Sequence, residues 1–524
     1  MLETLDCSST GIAGLNISAN NRLDRLTCRS NTKLTLLVIG DSNSLESIDC
    51  SSTSITVLDV SKCPSLQRLD CSNTKIISLD LSSNYALHSV NADGCPFESI
   101  RFGSIPLIKS LSLSLYNTAG IEISGEFLTS VEIKSQSVGA YVGSCGVSGC
   151  PNLERFKINT NTNRYNLFGL KRLSTIYIDN RTTSVSVSVN IEGTGAIESF
   201  TFLGDNNKTI LNPIDFSENP KLKVLKVNSV GQMKELNISG LDSLEELHLS
   251  GKYSTSVDTF LPAVITSPVL KNVTLGGCSN TTFDLSACRS LEHLEISDAS
   301  ALSEIKLPDA SSLKSISISN GVDNLSTLDL SGQTELETLK FEQTILPDCL
   351  DLSNNLKLRS LILSNIKNGK KIDMGNNPYF REVNIQSNSS CSGSEISISG
   401  KYITKISCTY FFPEVSECPS LQSLTISGAK GISLDVSKNP DLQSLTCSSI
   451  GLRELNVTGC RKLQSLQCSG NELVTLDVST NSMLTSLNCS AMPTLQTLYL
   501  SRDQSIQYIT YDRKTTYIPE TTTI

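Results

Sequence analysis

The feature that most constrains the fold is a repeat of about 21 residues that runs along most of the 524-residue chain. It is clearest near the C-terminus, where Cys447, Cys468 and Cys489 recur at intervals of 21 residues. Each unit has two apolar segments, one that ends at the cysteine and a second such as Leu476 and Val478. In both segments apolar residues alternate with polar ones, which predicts two short strands per unit, each buried on one side.

The length of the half-unit decides how these strands are connected. Each half is only about 10–11 residues long, so a helical crossover does not fit between strands. We therefore predict a right-handed, parallel β-solenoid that is elongated, gently curved and has few or no helices. Neighbouring coils of such a stack bury a continuous core, and 38% hydrophobic residues are sufficient for it.

The regularity of the repeat varies along what we predict to be a single solenoid over 1–524. Three similar segments, at 124–133, 250–260 and 399–408, are interpreted as insertions that follow a strand at the same point of the coil. Residues 141–153 are predicted to be an extended loop. The predicted zones are regular 1–103, irregular with insertions 104–214, regular with insertions 215–420, regular 421–511 and a C-terminal cap 512–524. Because Leu2 already belongs to a complete apolar triplet, we expect a signal and a polar cap to have been lost upstream.

The eighteen cysteines fall mostly at two positions of the coil. The first set lies at the inward strand position, and the second lies in the turn after a strand, where other coils have Asn. The first set begins with Cys7, Cys28, Cys50 and Cys71, and the second comprises Cys63, Cys95, Cys150, Cys278, Cys288, Cys418 and Cys460. Both are predicted to be free, packed thiols, with the turn residues supporting the adjacent coil. Because no C-x-x-C pair occurs and the three His do not cluster with Cys, no metal site is predicted.

Charge and motifs exclude several classes of function. The net charge of −9 and the pI of about 5.1 argue against nucleic acid and anionic membranes as partners. No apolar run reaches the roughly 20 residues of a membrane span. The chain has no phosphate-binding glycine motif, and Ser148 lacks the G-x-S-x-G spacing of a hydrolase nucleophile. A glycan-active enzyme would need paired acids in a groove, and nothing marks such a pair. We predict a monomeric, non-enzymatic protein without a cofactor.

The most regular polar feature is an Asp-apolar-Ser sequence at the end of the second strand. It occurs at Asp59, Asp80, Asp215, Asp284, Asp329, Asp351, Asp435 and Asp477, with Glu414 as a variant. One interpretation is an acidic ridge that binds Ca²⁺ or a basic partner. The other, which the absence of ligand-dense calcium loops favours, is local hydrogen bonding between Asp and Ser at strand ends.

Aromatic residues are rare in this chain, at 5%, and they concentrate near the irregular segments. The candidate ligand-binding residues are Tyr402, Tyr410, Phe411, Phe412, Tyr253 and Phe127. Exposed aromatic rings suit glycan stacking or a protein hot spot, whereas the outward residues of the strands are mostly Ser and Thr. The alternative interpretation is that these rings cover the open edges of widened coils.

The repeat also resembles a known family. Leu463, Leu466, Cys468, Asn471 and Leu473 spell L-x-x-L-x-C-x-x-N-x-L, which is similar to leucine-rich-repeat proteins, most of all the internalin-like members at bacterial cell surfaces. The chain departs from the internalins because its second half-repeat is L-x-x-L-D-V-S rather than a helical turn, and it has no recognisable anchor or cap.

The resemblance implies a leucine-rich-repeat solenoid, an extracellular or surface location, and recognition of a macromolecule. The leading functional prediction is therefore non-catalytic binding of a protein or glycan ligand through the repeat face and the inserted loops. The alternative is a structural spacer or surface-layer component without a specific ligand. An exposed aromatic or charged patch at one place favours the first, and a uniform surface favours the second.

Overall fold

The computed structural model describes residues 2–105, 107–115, 118–135, 141–180, 186–205, 209–233, 235–251, 261–309, 312–368, 370–387, 394–501, 504–512 and 516–519. The chain divides into two compact units, residues 1–262 and 263–524. Short strands and turns make up both units, and no helix occurs in the ranges just given. The absence of helices is expected, because each half-coil leaves room only for a strand and a turn.

The first unit contains twenty-four strands in the described ranges. They are β1 (Thr4–Asp6), β2 (Gly14–Asn16), β3 (Arg25–Thr27), β4 (Leu36–Val38), β5 (Ser47–Asp49), β6 (Arg68–Asp70), β7 (Ser78–Asp80), β8 (Ser89–Asn91), β9 (Ser99–Arg101), β10 (Ser110–Leu115), β11 (Ile121–Ser124), β12 (Ser130–Ser135), β13 (Ser144–Ser148), β14 (Arg155–Asn159), β15 (Arg164–Asn166), β16 (Thr175–Asp179), β17 (Ser186–Asn190), β18 (Ser199–Leu203), β19 (Ile210–Leu211), β20 (Ile214–Asp215), β21 (Val224–Val230), β22 (Gln232–Met233), β23 (Leu236–Asn237) and β24 (Glu246–Gly251).

Strands of the first unit pair in parallel with the equivalent strand of the next coil. The first face is formed by β1-β3-β5-β6-β8 and then β10-β12-β14-β16-β18-β21-β24, and the second face by β2-β4, β7-β9-β11-β13-β15-β17-β19-β22 and β20-β23. Leu111 pairs with Val131, and Val131 pairs with Phe156, so apolar residues lie in register along the stack. Most coils therefore place one strand on each face, although the fully described segment between β5 and β6 has no strand on the second face.

The second unit repeats this plan. Its strands are β25 (Asn272–Gly276), β26 (Thr282–Asp284), β27 (His293–Ser297), β28 (Glu304–Lys306), β29 (Ser315–Ser319), β30 (Thr338–Glu342), β31 (Cys349–Asp351), β32 (Ser360–Ser364), β33 (Lys371–Asp373), β34 (Glu382–Gln386), β35 (Ser394–Ser399), β36 (Lys405–Thr409), β37 (Phe411–Glu414), β38 (Ser423–Ser427), β39 (Ser433–Asp435), β40 (Ser444–Thr446), β41 (Glu454–Asn456), β42 (Ser465–Gln467), β43 (Thr475–Asp477), β44 (Ser486–Cys489), β45 (Thr497–Leu500), β46 (Tyr508–Tyr511) and β47 (Thr516–Pro519).

In the second unit the first face is one continuous series of parallel pairs. It runs β25-β27-β29-β30-β32-β34-β36-β38-β40-β42-β44-β46, and the second face carries β26-β28, β31-β33-β35-β37, β39-β41 and β43-β45-β47. Strand β47 extends the second face past Leu500, which pairs with Pro519. The prediction of a parallel β-solenoid with short strands on both faces is confirmed, and its handedness and zones stay predictions.

The core of each unit lies between its two faces. Leu26, Ile48 and Leu69 occupy one register column on the first face and are at most 2% exposed. Burying an apolar side chain of this size stabilises the fold by about 1.5–3 kcal/mol. Between the faces, the rings of Phe200 and Phe216 meet edge to face with their centroids 4.9 Å apart. The repeated apolar pairs in the sequence are thus the source of the core.

Two predictions about the irregular segments are wrong. Residues 144–148 of the predicted loop form β13, which pairs with β11 and β15. The segments that begin at 124 and 399 are tight turns from the second face to the first. A Cβ added to Gly125 or Gly400 would lie within 3 Å of Leu128 or Ile403 side-chain atoms, so glycine permits the short connection. The third segment follows β24 on the first face, a different point of the coil, and most of it lies outside the described residues.

Candidate functional site

The Asp-apolar-Ser sequences form hydrogen bonds within the turn. The Oδ1 atom of Asp59 accepts hydrogen bonds from the backbone N–H and the hydroxyl of Ser61, at 3.0 and 2.6 Å. Asp284 binds Ser286 with the same two distances. These bonds hold the pKa of both carboxyls below its ordinary value. The interpretation of this feature as strand-end hydrogen bonding is confirmed.

Buried amides join adjacent coils at the turns after several strands. The Nδ2 of Asn471 donates to the carbonyls of Cys447 and Cys468 at 2.9 and 2.8 Å, and its Oδ1 accepts from the N–H groups of Ile450 and Leu452. On the second face Asn439 and Asn481 likewise donate two bonds, but their Oδ1 atoms have no hydrogen-bond partner among the described residues. The two faces therefore use the same amide differently.

Cysteine replaces asparagine where only a donor is needed. The thiol of Cys460 donates to the carbonyl of Val436 at 3.1 Å, and that of Cys418 donates to Ile398 at 3.2 Å. Both occupy the second-face turn position, where Cys418, Asn439, Cys460 and Asn481 follow one another in successive coils. The prediction that turn cysteines support the adjacent coil is confirmed for these positions. Cys–Asn alternation is thus a structural device rather than a reactive site.

Thiol accessibility gives the first testable prediction. Cys349 is exposed and Cys7 is half-buried, whereas the other described cysteines are buried, and all are free. Burial raises the pKa of Cys28 and Cys447 to about 12, so these thiols remain protonated and shielded at pH 8. We expect a thiol-alkylating reagent at pH 8 to modify Cys349 before the other described cysteines, as identified by peptide mass spectrometry.

A denatured sample provides the control for this labelling, because every thiol then becomes accessible. Among the described cysteines, modification of Cys447 as fast as Cys349 in the folded protein would contradict the packing of the cysteine column. Within the described ranges, no group of three or more His, Cys, Asp or Glu side chains is placed to hold a metal ion.

The aromatic residues predicted as binding residues lie at different depths. Phe411 is fully buried, so its ring belongs to the core and is not accessible to a ligand. Phe412 is 9% exposed, and its ring lies so close to Gly431 that a Cβ there would overlap it. The ring of Tyr410 covers Gly428 in the same way. These contacts agree with the interpretation that the rings cover the coil edge.

The remaining predicted residues lie on turns that lead into first-face strands. Phe127 and Tyr402 are both half-buried and occupy equivalent positions before β12 and β36. Tyr253 lies outside the described residues. Phe127 lies in the first unit, and Tyr402, Tyr410, Phe411 and Phe412 lie in the second.

Tyr402 instead belongs to a cluster that the sequence analysis missed. The guanidinium of Arg381 and the ammonium of Lys401 lie 5.8 and 5.3 Å from the centre of the Tyr402 ring. One coil earlier, the guanidinium of Arg359 lies 5.7 Å from the Tyr379 ring. We call Arg359, Tyr379, Arg381, Lys401 and Tyr402 the Arg–Tyr rim. Such contacts orient each cation through its attraction to the ring face.

The Arg–Tyr rim combines exposure with unpaired charge. Tyr379 is 65% exposed. No carboxylate among the described residues lies within ion-pair distance of Arg359, Arg381 or Lys401. In the sequence the signal was a recurrence: Arg359 and Arg381 are 22 residues apart, and Tyr379 and Tyr402 are 23 apart. The rim was missed because neither residue type belongs to the apolar pattern.

A second cation–aromatic contact lies on the first face of the first unit. The ammonium of Lys157 lies 5.8 Å from the centre of the Tyr177 ring. It also forms an ion pair with Glu132 at 2.9 Å, and Glu132 pairs with Lys134 at 3.3 Å. The positive charge there has an internal partner, which distinguishes it from the Arg–Tyr rim.

Comparison with protein-family models gave no match, and comparison with curated proteins gave none either. One solved structure similar to the chain is the functional domain of InlJ from Listeria monocytogenes, which includes a cysteine ladder. The two are 17% identical over 95% of this chain and 74% of that chain, with a TM-score of 0.21. A leucine-rich-repeat protein of Leptospira interrogans matches at 16% identity over 94% of this chain and 91% of that chain, with a TM-score of 0.24. YopM from Yersinia enterocolitica matches at 14% identity over 99% of this chain and 91% of that chain, with a TM-score of 0.28. These identities and TM-scores support no argument about function, and the fold assignment rests on the coil geometry.

The described part of the chain has no helix that is long and apolar enough to cross a membrane.

Proposed function

We propose that the chain is a non-catalytic recognition protein, secreted or exposed at a cell surface, that binds a protein or glycan ligand. The observation that carries this proposal is the Arg–Tyr rim, where exposed tyrosine and unpaired arginine side chains lie together. Tyr and Arg are the residue types that dominate binding energy at interfaces. The strand β34 beside it presents the polar residues Glu382, Asn384 and Gln386 outward, which offer little apolar anchoring area.

The site that we propose differs from the one predicted from sequence. Tyr402 remains part of it, and Tyr379, Arg359, Arg381 and Lys401 are added. Phe411 is removed because it is fully buried. Tyr410, Phe412 and Phe127 stay predictions as additional contacts, and so does Tyr253.

The proposal is tested by binding of the labelled protein to a glycan array and to a panel of extracellular-matrix and cell-surface proteins. We expect a ligand whose affinity falls at least tenfold in the variant Tyr379→Ser/Tyr402→Ser, because the rings that hold the cations are lost. The matched control is Tyr508→Ser, which removes a ring that is 73% exposed at β46, distant in sequence from the rim.

Circular dichroism would establish that the wild-type protein, the double variant and the Tyr508→Ser control are all folded. Equal loss of affinity in the Tyr508→Ser control would contradict the assignment of the site to the rim. No ligand for the wild-type protein in either screen would overturn the recognition function and favour a structural spacer.

A further inference from the structure

The two arginines of the rim occupy equivalent positions in adjacent coils. Leu363 pairs with Ile385, and Arg359 and Arg381 each precede these partners by four residues. Each arginine directly precedes its strand, β32 or β34, so the two like charges occupy one column of neighbouring coils. Like charges in neighbouring coils repel each other, more weakly where solvent and salt screen them. The repulsion between the two arginines decreases when an anionic group binds across both guanidinium groups.

Earlier coils avoid this repulsion by alternating the sign of charge at the same position. The column is Lys271, Glu292, Lys314, Glu337, Arg359 and Arg381. Up to Arg359, each of these residues donates its N–H to the carbonyl of the one before it, at 2.8–3.0 Å. Lys314 and Glu292 also form an ion pair at 2.6 Å. The alternation ends at the rim, where a second cation follows the first without a carboxylate between them.

The coil that contains Arg359 also has exposed apolar side chains. Leu356 is 48% exposed and Ile362 is 42% exposed, and both lie in the coil that contains Arg359. Together with Tyr379 they provide apolar area beside the guanidinium groups. Protein interfaces combine aromatic, aliphatic and arginine side chains in this way. A glycan would require free ring faces for stacking, yet cations already lie over the Tyr379 and Tyr402 rings.

We infer that the Arg–Tyr rim binds an acidic segment of a partner protein, an inference that rests on the proposed recognition function. Carboxylates of the segment bridge Arg359 and Arg381, and apolar residues of the segment contact Leu356 and Tyr379. The planar guanidinium, oriented by its stacking on tyrosine, is suited to bidentate carboxylate binding. The whole chain has a net charge of −9, which disfavours acidic partners away from this cationic rim.

The test measures fluorescence anisotropy of a labelled peptide that alternates Glu with Leu, with full-length protein as titrant. The variant is Arg359→Gln/Arg381→Gln, because Gln occupies the same column in later coils at Gln422, Gln443 and Gln464 and preserves the fold. We expect at least a tenfold loss of affinity and a marked weakening of wild-type binding by added salt. The matched control, Arg25→Gln/Arg68→Gln, removes two exposed arginines from the first unit and is expected to change affinity less than twofold.

Three outcomes would overturn this inference: equal affinity of wild type and variant, equal losses in variant and control, or preferential binding of a sulfated glycan over the acidic peptide. The proposed function is tested separately by the ligand screens. A ligand from those screens whose affinity is unaffected by Arg359→Gln/Arg381→Gln would leave the recognition function intact and remove the acidic partner. An acidic protein ligand that depends on both arginines would support both proposals.

Discussion

Raising the pH from 9 to 11 under reducing conditions is expected to unfold the chain, because many thiols are buried in their protonated form. Burial raises the pKa of these thiols from the ordinary 9.0 to about 11 or 12. They are Cys28, Cys63, Cys150, Cys278, Cys288, Cys408, Cys418, Cys447, Cys460 and Cys489. In the unfolded chain the same thiols ionise near pH 9.

The sign of the effect follows from the number of bound protons. Between pH 9 and about 12 the folded chain retains protons that the unfolded chain releases, so the free energy of unfolding falls as pH rises. Each buried thiol lowers it by about 1.4 kcal/mol per pH unit in this window, and has no such effect below pH 9. Because a folded domain is stable by only about 5–15 kcal/mol, several thiols suffice for a midpoint at about pH 10–11.

The measurement is far-ultraviolet circular dichroism as a function of pH, together with the ultraviolet absorbance of thiolates. The variant Cys447→Val/Cys468→Val/Cys489→Val replaces one inward column with a side chain of similar size and no ionisable group. We expect its midpoint to lie at higher pH than that of wild type. Cys349→Ser, which removes an exposed thiol, serves as the control and is expected to leave the midpoint unchanged. Coincident midpoints for the column variant and wild type would show that these thiols do not drive alkaline unfolding.

The cysteine columns could be predicted from sequence because they follow the period of the coil. The interval between Cys447 and Cys468 places both at one inward position, and both are fully buried in the structure. The exchange of Cys with Asn in the turns was recognisable for the same reason. A periodic pattern determines which residues share a column, and a column on a parallel stack determines which side chains meet.

The candidate site could not be predicted to the same extent, because the depth of a side chain depends on local turn geometry. Phe411 and Tyr402 lie nine residues apart and differ little in type, yet one is fully buried and the other is half-buried. The contact of Arg381 with Tyr402 depends on a turn that glycine shortens at Gly400. The apolar period contains no information about that shortening, and the segment was therefore interpreted as an insertion.

Replacing Asn471 with Ala is expected to destabilise the protein by about 4 kcal/mol, since four buried hydrogen bonds lose their partner at once. The amide donates to Cys447 and Cys468 and accepts from Ile450 and Leu452, and its own exposure is 2%. Each group left unsatisfied away from water costs about 1–3 kcal/mol. Urea unfolding would measure the change in stability, and hydrogen exchange at the Ile450 and Leu452 amides would show whether their protection is lost.

Substitution by cysteine separates the two roles of the amide. At the second face Asn481 uses only its donor, and the neighbouring Cys460 shows that a thiol is accepted there, so Asn481→Cys is expected to cost about 1 kcal/mol. At the first face Asn471→Cys keeps a donor but loses both acceptor bonds, so about 3 kcal/mol is expected. Equal costs at the two positions would mean that the bonds accepted by Asn471 contribute nothing. A larger cost at Asn471 would measure what its two accepted bonds contribute at a turn position where another coil has the thiol of Cys95.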